Sequence, residues 1–211
     1  MKNTVKSNFS LRKLILTALV AGPVAILPAP LWALPSTAAT NLTTSTGVQV
    51  VTAGTALNIT SPDKGILTWV DFGGNGQTIA STDTLNYILP TASASVLNLV
   101  TGAASTTING TLVSNGNVYI MNKNGIVIGS GASINAGGFY ASSIDEPLAA
   151  SSFAANGTLS YVGTGTGAVT VSHTDSSKSA PVIQALGTGN NIVLAGATGA
   201  TAVDVQSGSF Y

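Results

Sequence analysis

Cysteine is absent from this 211-residue chain, so no disulfide braces it and no thiolate serves as nucleophile or metal ligand. Charge is scarce as well. Seven basic and seven acidic residues amount to 7% of the sequence, against about 25% in an average globular protein. Arginine occurs once, at Arg12, and histidine once, at His173. A nucleic-acid binder needs clustered Lys and Arg against phosphates, so that class is excluded. A glycosidase or lyase needs paired carboxylates, or acids holding a cation beside a base. The acids Asp63, Asp71, Asp83, Asp145, Glu146, Asp175 and Asp204 are scattered instead. Only Asp145 and Glu146 adjoin, just before Pro147, where they read as a solvated turn. His173 and Asp175 share the polar run "SHTDSS", but two groups do not make a three- or four-ligand metal site. No catalytic residue, metal or cofactor is expected.

Two letter patterns fail on context. "DFG" at 71–73 has no kinase-type lysine strand or catalytic loop around it. "VGTGTGAV" at 162–169 lacks the third glycine spacing, helix and ribose-binding acid of a dinucleotide loop, and reads as a flexible turn.

What the chain has is β-forming material. Hydrophobic residues reach 45%, and Val, Ile and Thr abound beside Gly, Ser and Asn. The N-terminus differs. Lys2, Lys6, Arg12 and Lys13 precede an apolar run over 14–27 that Pro28 and Pro30 end. This is the make-up of a secretory signal peptide read by the Sec translocon. The run is shorter than the about 20 residues of a membrane-spanning helix, and Gly22-Pro23 interrupts it. Cleavage is expected after Ala33 or Ala39. The remainder carries three lysines, Lys64, Lys123 and Lys178, against seven acids, a net charge near −4 (3 − 7) with no arginine.

Beyond residue 46 short apolar-polar alternations follow one another with almost no helical period. Runs at 47–51, 55–60, 65–72 and 84–90 read as strands, and 93–100 as a strand or a brief helical turn. From Thr107 the punctuation turns regular: Asn109-Gly110, Asn115-Gly116, Asn124-Gly125, Gly137-Gly138 and Asn156-Gly157 supply turn residues. Between and after them lie "TLVS", "VYIMN", "IVIG", "SIN", "FYAS", "TLSYV", "AVTVS", "VIQAL", "NIVLA" and "AVDVQ". Asn41, Asn58, Asn109 and Asn156 fit the glycosylation acceptor pattern. In so Asn- and Thr-rich a chain, corner asparagines bonded to backbone are the better account of Asn109 and Asn156. Very short, evenly spaced strands predict an all-β right-handed parallel β-helix, with a β-sandwich as the alternative. A solenoid's end coil needs a cap. Residues 34–75, with the bulky Trp69 and Phe72, are expected to supply it.

Residues 47–145 resemble the N-terminal secretion domain of two-partner secretion exoproteins of the filamentous-haemagglutinin type. The elements occur in order: "ALPSTAATNLTTSTGVQVVTAGTALNIT", then "ILTWVDFGGNGQTI", then "NYILPTASASVLNLVTG", then "INGTLVSNGNVYIMNKNGIVIGSGASINAGGFYASSID". The chain departs at Lys123, where the family usually has proline, and at Leu99, where arginine is frequent; a second "NPNL" motif is missing. The resemblance implies a signal peptide over 1–33, a secretion domain over 34–150 and further β-helix coils over 151–211. It implies export by an outer-membrane transporter with POTRA domains, folding at the cell surface, and an adhesin-like exoprotein. Asn98, Asn122, Asn124 and Gly125 are then the transporter-recognition or corner-turn residues. A self-sufficient surface protein, binding glycans or copies of itself, is the second reading.

Overall fold

The computed structural model describes residues 34, 35, 37, 41–73, 77–146, 148–186 and 191–197 in full, and the backbone of 203–205 and 209–210. The expected signal peptide and both cleavage positions, Ala33 and Ala39, lie outside the described residues.

Alternation makes the strands. Ala56–Thr60, Gly65–Trp69 and Thr84–Ile88 bury every second side chain, as a wall with one dry face requires. In chain order the strands are β1 (Leu42–Thr44), β2 (Gln49–Ala53), β3 (Ala56–Thr60), β4 (Gly65–Trp69), β5 (Thr78–Ile79), β6 (Thr84–Ile88), β7 (Ser95–Val100), β8 (Thr106–Ile108) and β9 (Thr111–Ser114). They continue as β10 (Asn117–Asn122), β11 (Ile126–Ile128), β12 (Ser133–Ala136), β13 (Gly138–Ser142), β14 (Val169–Val171), β15 (Val182–Ala185), β16 (Ile192–Ala195), β17 (Val203–Val205) and β18 (Ser209–Phe210).

Every third strand pairs with its counterpart one coil on. The first sheet runs β1-β4-β7-β10-β13-β16, the second β17-β14-β11-β8-β5 and the third β18-β15-β12-β9-β6-β3-β2. All pairings from β3 onward are parallel, which builds a three-walled β-helix and rules out the sandwich. Each coil places like residues over like. Ile79, Ile108, Ile128 and Val171 form one inward column of the second sheet. Leu57, Leu85, Leu112, Ile134 and Ile183 form one of the third. All nine are buried, at about 1.5–3 kcal/mol of transfer free energy per side chain.

The polarity reverses at the N-terminal end. β1 lies antiparallel on β4, and β2 antiparallel on β3, so the first coil is covered by strands running the other way. Trp69 and Phe72 lie under this cover, fully buried, with ring centroids 5.3 Å apart.

Between β13 and β14 the chain leaves the solenoid for an excursion over residues 143–168. It contains a helix, α1 (Ala149–Asn156), where short coil strands were expected. "TLSYV" at 158–162 is irregular, not a strand, and Asn156 ends the helix rather than turning a coil. The cause is a second apolar cluster outside the tube. Leu97, Leu99, Tyr119, Met121 and Tyr140 point outward from the first sheet, and Ala149, Phe153, Leu159 and Tyr161 cover them. Phe153 meets Tyr119 edge-on at 5.1 Å, and Tyr119 stacks on Tyr140 at 4.1 Å. Burial among these rings pushes the Tyr119 and Tyr161 phenols well above their usual range. Phe153→Ala is expected to cost about 3 kcal/mol. Near-ultraviolet circular dichroism of the tyrosines and a urea titration check it; an unchanged midpoint would show that the excursion does not depend on this contact.

Candidate functional site

The residues 122–125 turn the third coil from β10 to β11. Asn122 Oδ1 accepts from the Asn124 N–H (3.0 Å), an Asx turn, and the Gly125 N–H donates to the Asn122 carbonyl (2.9 Å). Gly125 takes φ +112°, which an L side chain rarely adopts. The same amides reach down one coil. Asn122 Nδ2 donates to the Ala104 carbonyl (3.0 Å) and to Thr106 Oγ1 (2.9 Å). Asn124 Nδ2 donates to the Gly102 carbonyl (2.7 Å). The corner therefore satisfies its own turn and stitches itself to the corner below. Asn122 is fully buried, whereas Asn124 keeps part of its surface in solvent.

Lys123, at the crest, pairs with Asp145 at 3.3 Å, both side chains half-exposed. Such a pair contributes about 0–1 kcal/mol. Its carbonyl does more: it accepts from the N–H groups of Thr166 (3.3 Å) and Gly167 (3.0 Å), which bring the excursion's return leg onto the corner. A cleft opens beside it, lined by Leu99, Met121, Ile144 and Asp145 among others.

Asn98 is placed elsewhere. It occupies an inward column between Leu67 and Ile120, with no exposed surface. Its Oδ1 accepts from Trp69 Nε1 (3.1 Å) and from the Tyr87 hydroxyl (3.0 Å), and its Nδ2 donates to the Tyr119 carbonyl (3.3 Å). In the folded domain it is the polar node of the first coils, beyond a partner's reach. Burial pushes the Tyr87 phenol far above its ordinary range.

Other residues take roles that the sequence reading did not assign. Glu146 is buried, not solvated: its carboxylate accepts from the N–H groups of Ser160 (3.1 Å) and Tyr161 (3.2 Å) and closes the base of the excursion. "VGTGTGAV" is no flexible turn. Gly163, Gly165 and Gly167 alternate along an extended leg whose flush face lies on the backbone of Asp145, Ser143 and Gly125. Asn115 pairs both polar groups with the Leu89 backbone, at 2.8 and 2.7 Å, as a strand would. His173 and Asp175 build a surface loop. His173 Nε2 lies 2.7 Å from the Lys178 carbonyl, and hydrogen bonds from Ser177 hold the Asp175 carboxyl below its usual range. No group of three metal-ligating side chains occurs among the described residues.

Residues 35–210 match the TPS secretion domain family. The chain belongs to that family. The match covers most of the sequence and takes in all five coils. The HMW1 secretion domain from Haemophilus influenzae has a similar fold, with a TM-score of 0.53 over 80% of this chain and 39% of that one, at 20% identity. A heme/hemopexin-binding protein of the same organism is 43% identical over 56 residues, 26% of this chain and 6% of that protein. The aligned segments thus span a small part of this relative and under half of the solved chain. Two-partner secretion exoproteins cross the outer membrane, and TPS domains imply a cognate outer-membrane transporter.

Proposed function

We propose that this TPS domain is the transporter-recognition module of an adhesin-like exoprotein, bound by POTRA domains in the periplasm and folding into its β-helix at the cell surface. Family membership over 35–210 is the observation that carries it. The fold suits the route. Each coil bonds only to its neighbours, so coils can be laid down one after another from the capped end. Before that, the unpaired backbone of such a chain offers strand addition to a partner. Within this reading, Asn124, the more exposed amide of the corner, is a recognition residue and Asn122, Gly125, Trp69 and Phe72 keep the fold.

The test is co-expression with a cognate outer-membrane transporter of the two-partner type. Deleting that transporter is expected to abolish the extracellular protein, and Asn124→Ala to lower it several-fold while the purified domain keeps its circular dichroism and melting curve. Normal export of a normally folded Asn124→Ala protein would remove the recognition role.

A second reading, a surface protein that binds glycans or itself, draws support from the third sheet. Its outer face carries two in-register polar columns, one with Thr84, Thr111 and Ser133 and one with Asn58, Asn86, Asn135 and Gln184, the latter interrupted at Val113.

A further inference from the structure

We propose that the cleft between the N-terminal ends of β7 and β10 and the C-terminal end of α1 binds one neutral pyranose ring of a glycan. The inference rests on the glycan-binding reading above and assigns it a place. The cleft holds about 270 Å³, just under the about 300–1,000 Å³ of typical small-molecule pockets, which suits one sugar ring better than a larger ligand.

Its lining is polar and balanced in charge. Asp63 and Lys64 stand side by side, each with one commitment and spare capacity. Asp63 Oδ1 accepts from the Ser95 N–H (2.9 Å), leaving Oδ2; Lys64 Nζ donates to the Ala155 carbonyl (2.8 Å), leaving two N–H groups. Asn117 Nδ2 donates to the Ser93 carbonyl (3.2 Å), and its Oδ1 is shielded from solvent against Gly138 of the next coil, so this residue shapes the floor of the cleft without offering it an acceptor. From the far wall Asn156 and Thr158, both exposed, add an amide and a hydroxyl.

This set selects by elimination. An anion would meet the Asp63 carboxylate, and a cation the Lys64 ammonium. An apolar ligand would strip water from the spare Asp63 oxygen and the spare Lys64 N–H groups and put nothing in its place. A ring bearing several hydroxyls, each donor and acceptor at once, matches all of them. The walls are also fixed in advance. Tyr140 is held by its stack on Tyr119, and Gly157, closing α1 at φ +74°, packs on the Lys64 stem. Little ordering remains to oppose binding.

The whole chain is tested by saturation-transfer NMR against a panel of methyl hexopyranosides and by binding to an array of neutral oligosaccharides. The wild type is expected to bind at least one pyranoside. The surface double variant Asn156→Ala/Thr158→Ala is expected to raise Kd about tenfold, from two lost hydrogen bonds. Thr43→Ala, exposed on β1 and part of neither surface, leaves it unchanged, and Ser133→Ala/Asn135→Ala probes the outer face of the third sheet. If array binding persists undiminished in the cleft variant and falls in the sheet variant, the cleft is wrong and the glycan reading stands. If the folded wild type binds no sugar, both fail.

Discussion

Asn98→Ala is expected to lower the unfolding free energy by about 4 kcal/mol, because one truncation strands two buried donors. Trp69 Nε1–H and the Tyr87 hydroxyl both converge on Asn98 Oδ1, and all three residues are sealed from solvent. A buried donor left without its acceptor costs about 1–3 kcal/mol, and two are left here. In a domain of this size each kcal/mol lowers Tm by about 2–4 °C, so a drop of roughly 8–16 °C should appear. The physics also predicts a rescue. If the cost lies in unpaired polar groups, removing all of them restores stability, so Asn98→Leu/Trp69→Phe/Tyr87→Phe should recover most of the loss. Urea unfolding of the single and triple variants separates the cases. A triple variant as weak as Asn98→Ala would mean that the amide matters for its shape, not its bonds.

Gly167→Ala is the second large effect. A Cβ at this position falls on the backbone N of Gly125 and the carbonyl carbon of Asn124, and neither can swing aside as a side-chain tip would. Overpacking against flexible neighbours costs about 1–3 kcal/mol, and a backbone-on-backbone clash belongs at or above the top of that range. The return leg should lift off the corner and break the Thr166 and Gly167 hydrogen bonds to the Lys123 carbonyl. Faster amide exchange at 166 and 167, with a lower urea midpoint, is the expected signature. Wild-type protection at both amides would show that the leg has another way to seat.

The walls of the tube were legible because their rule is local. Runs such as "TLVS" and "SIN" alternate inward and outward residues, and Asn-Gly pairs mark the turns, so strands and corners announce themselves within five or six positions. The excursion obeys a different rule. α1 has no side-chain N-cap and no acid in its first turn, and "AASSFAAN" is only weakly amphipathic. It is a helix because Phe153 finds a bed on Leu97 and Tyr119, which come from coils far away in sequence. Leu159 and Tyr161 alternate as in a strand, and only the three-dimensional surface shows that they face the outside of a wall. The glycines at 163, 165 and 167 carried a usable signal: a period of two marks an extended segment with one flush face. Asn98 had none, since nothing in "VLNLV" tells which neighbours would converge on its oxygen.

The outer apolar cluster introduces a clock. Leu97, Leu99, Tyr119 and Met121 belong to coils that precede the residues covering them, of which Phe153 and Leu159 are the main ones. In a chain delivered N-terminus first, that stripe exists as open surface for as long as the next several tens of residues take to arrive. During this interval the half-built coil is a sticky object, exposed to whatever stands beside it, another emerging copy included. Speed of delivery then becomes a determinant of yield, independent of how stable the finished domain is. Refolding of the isolated chain should accordingly lose yield as protein concentration rises, with the loss set by the time that Phe153 takes to reach its bed.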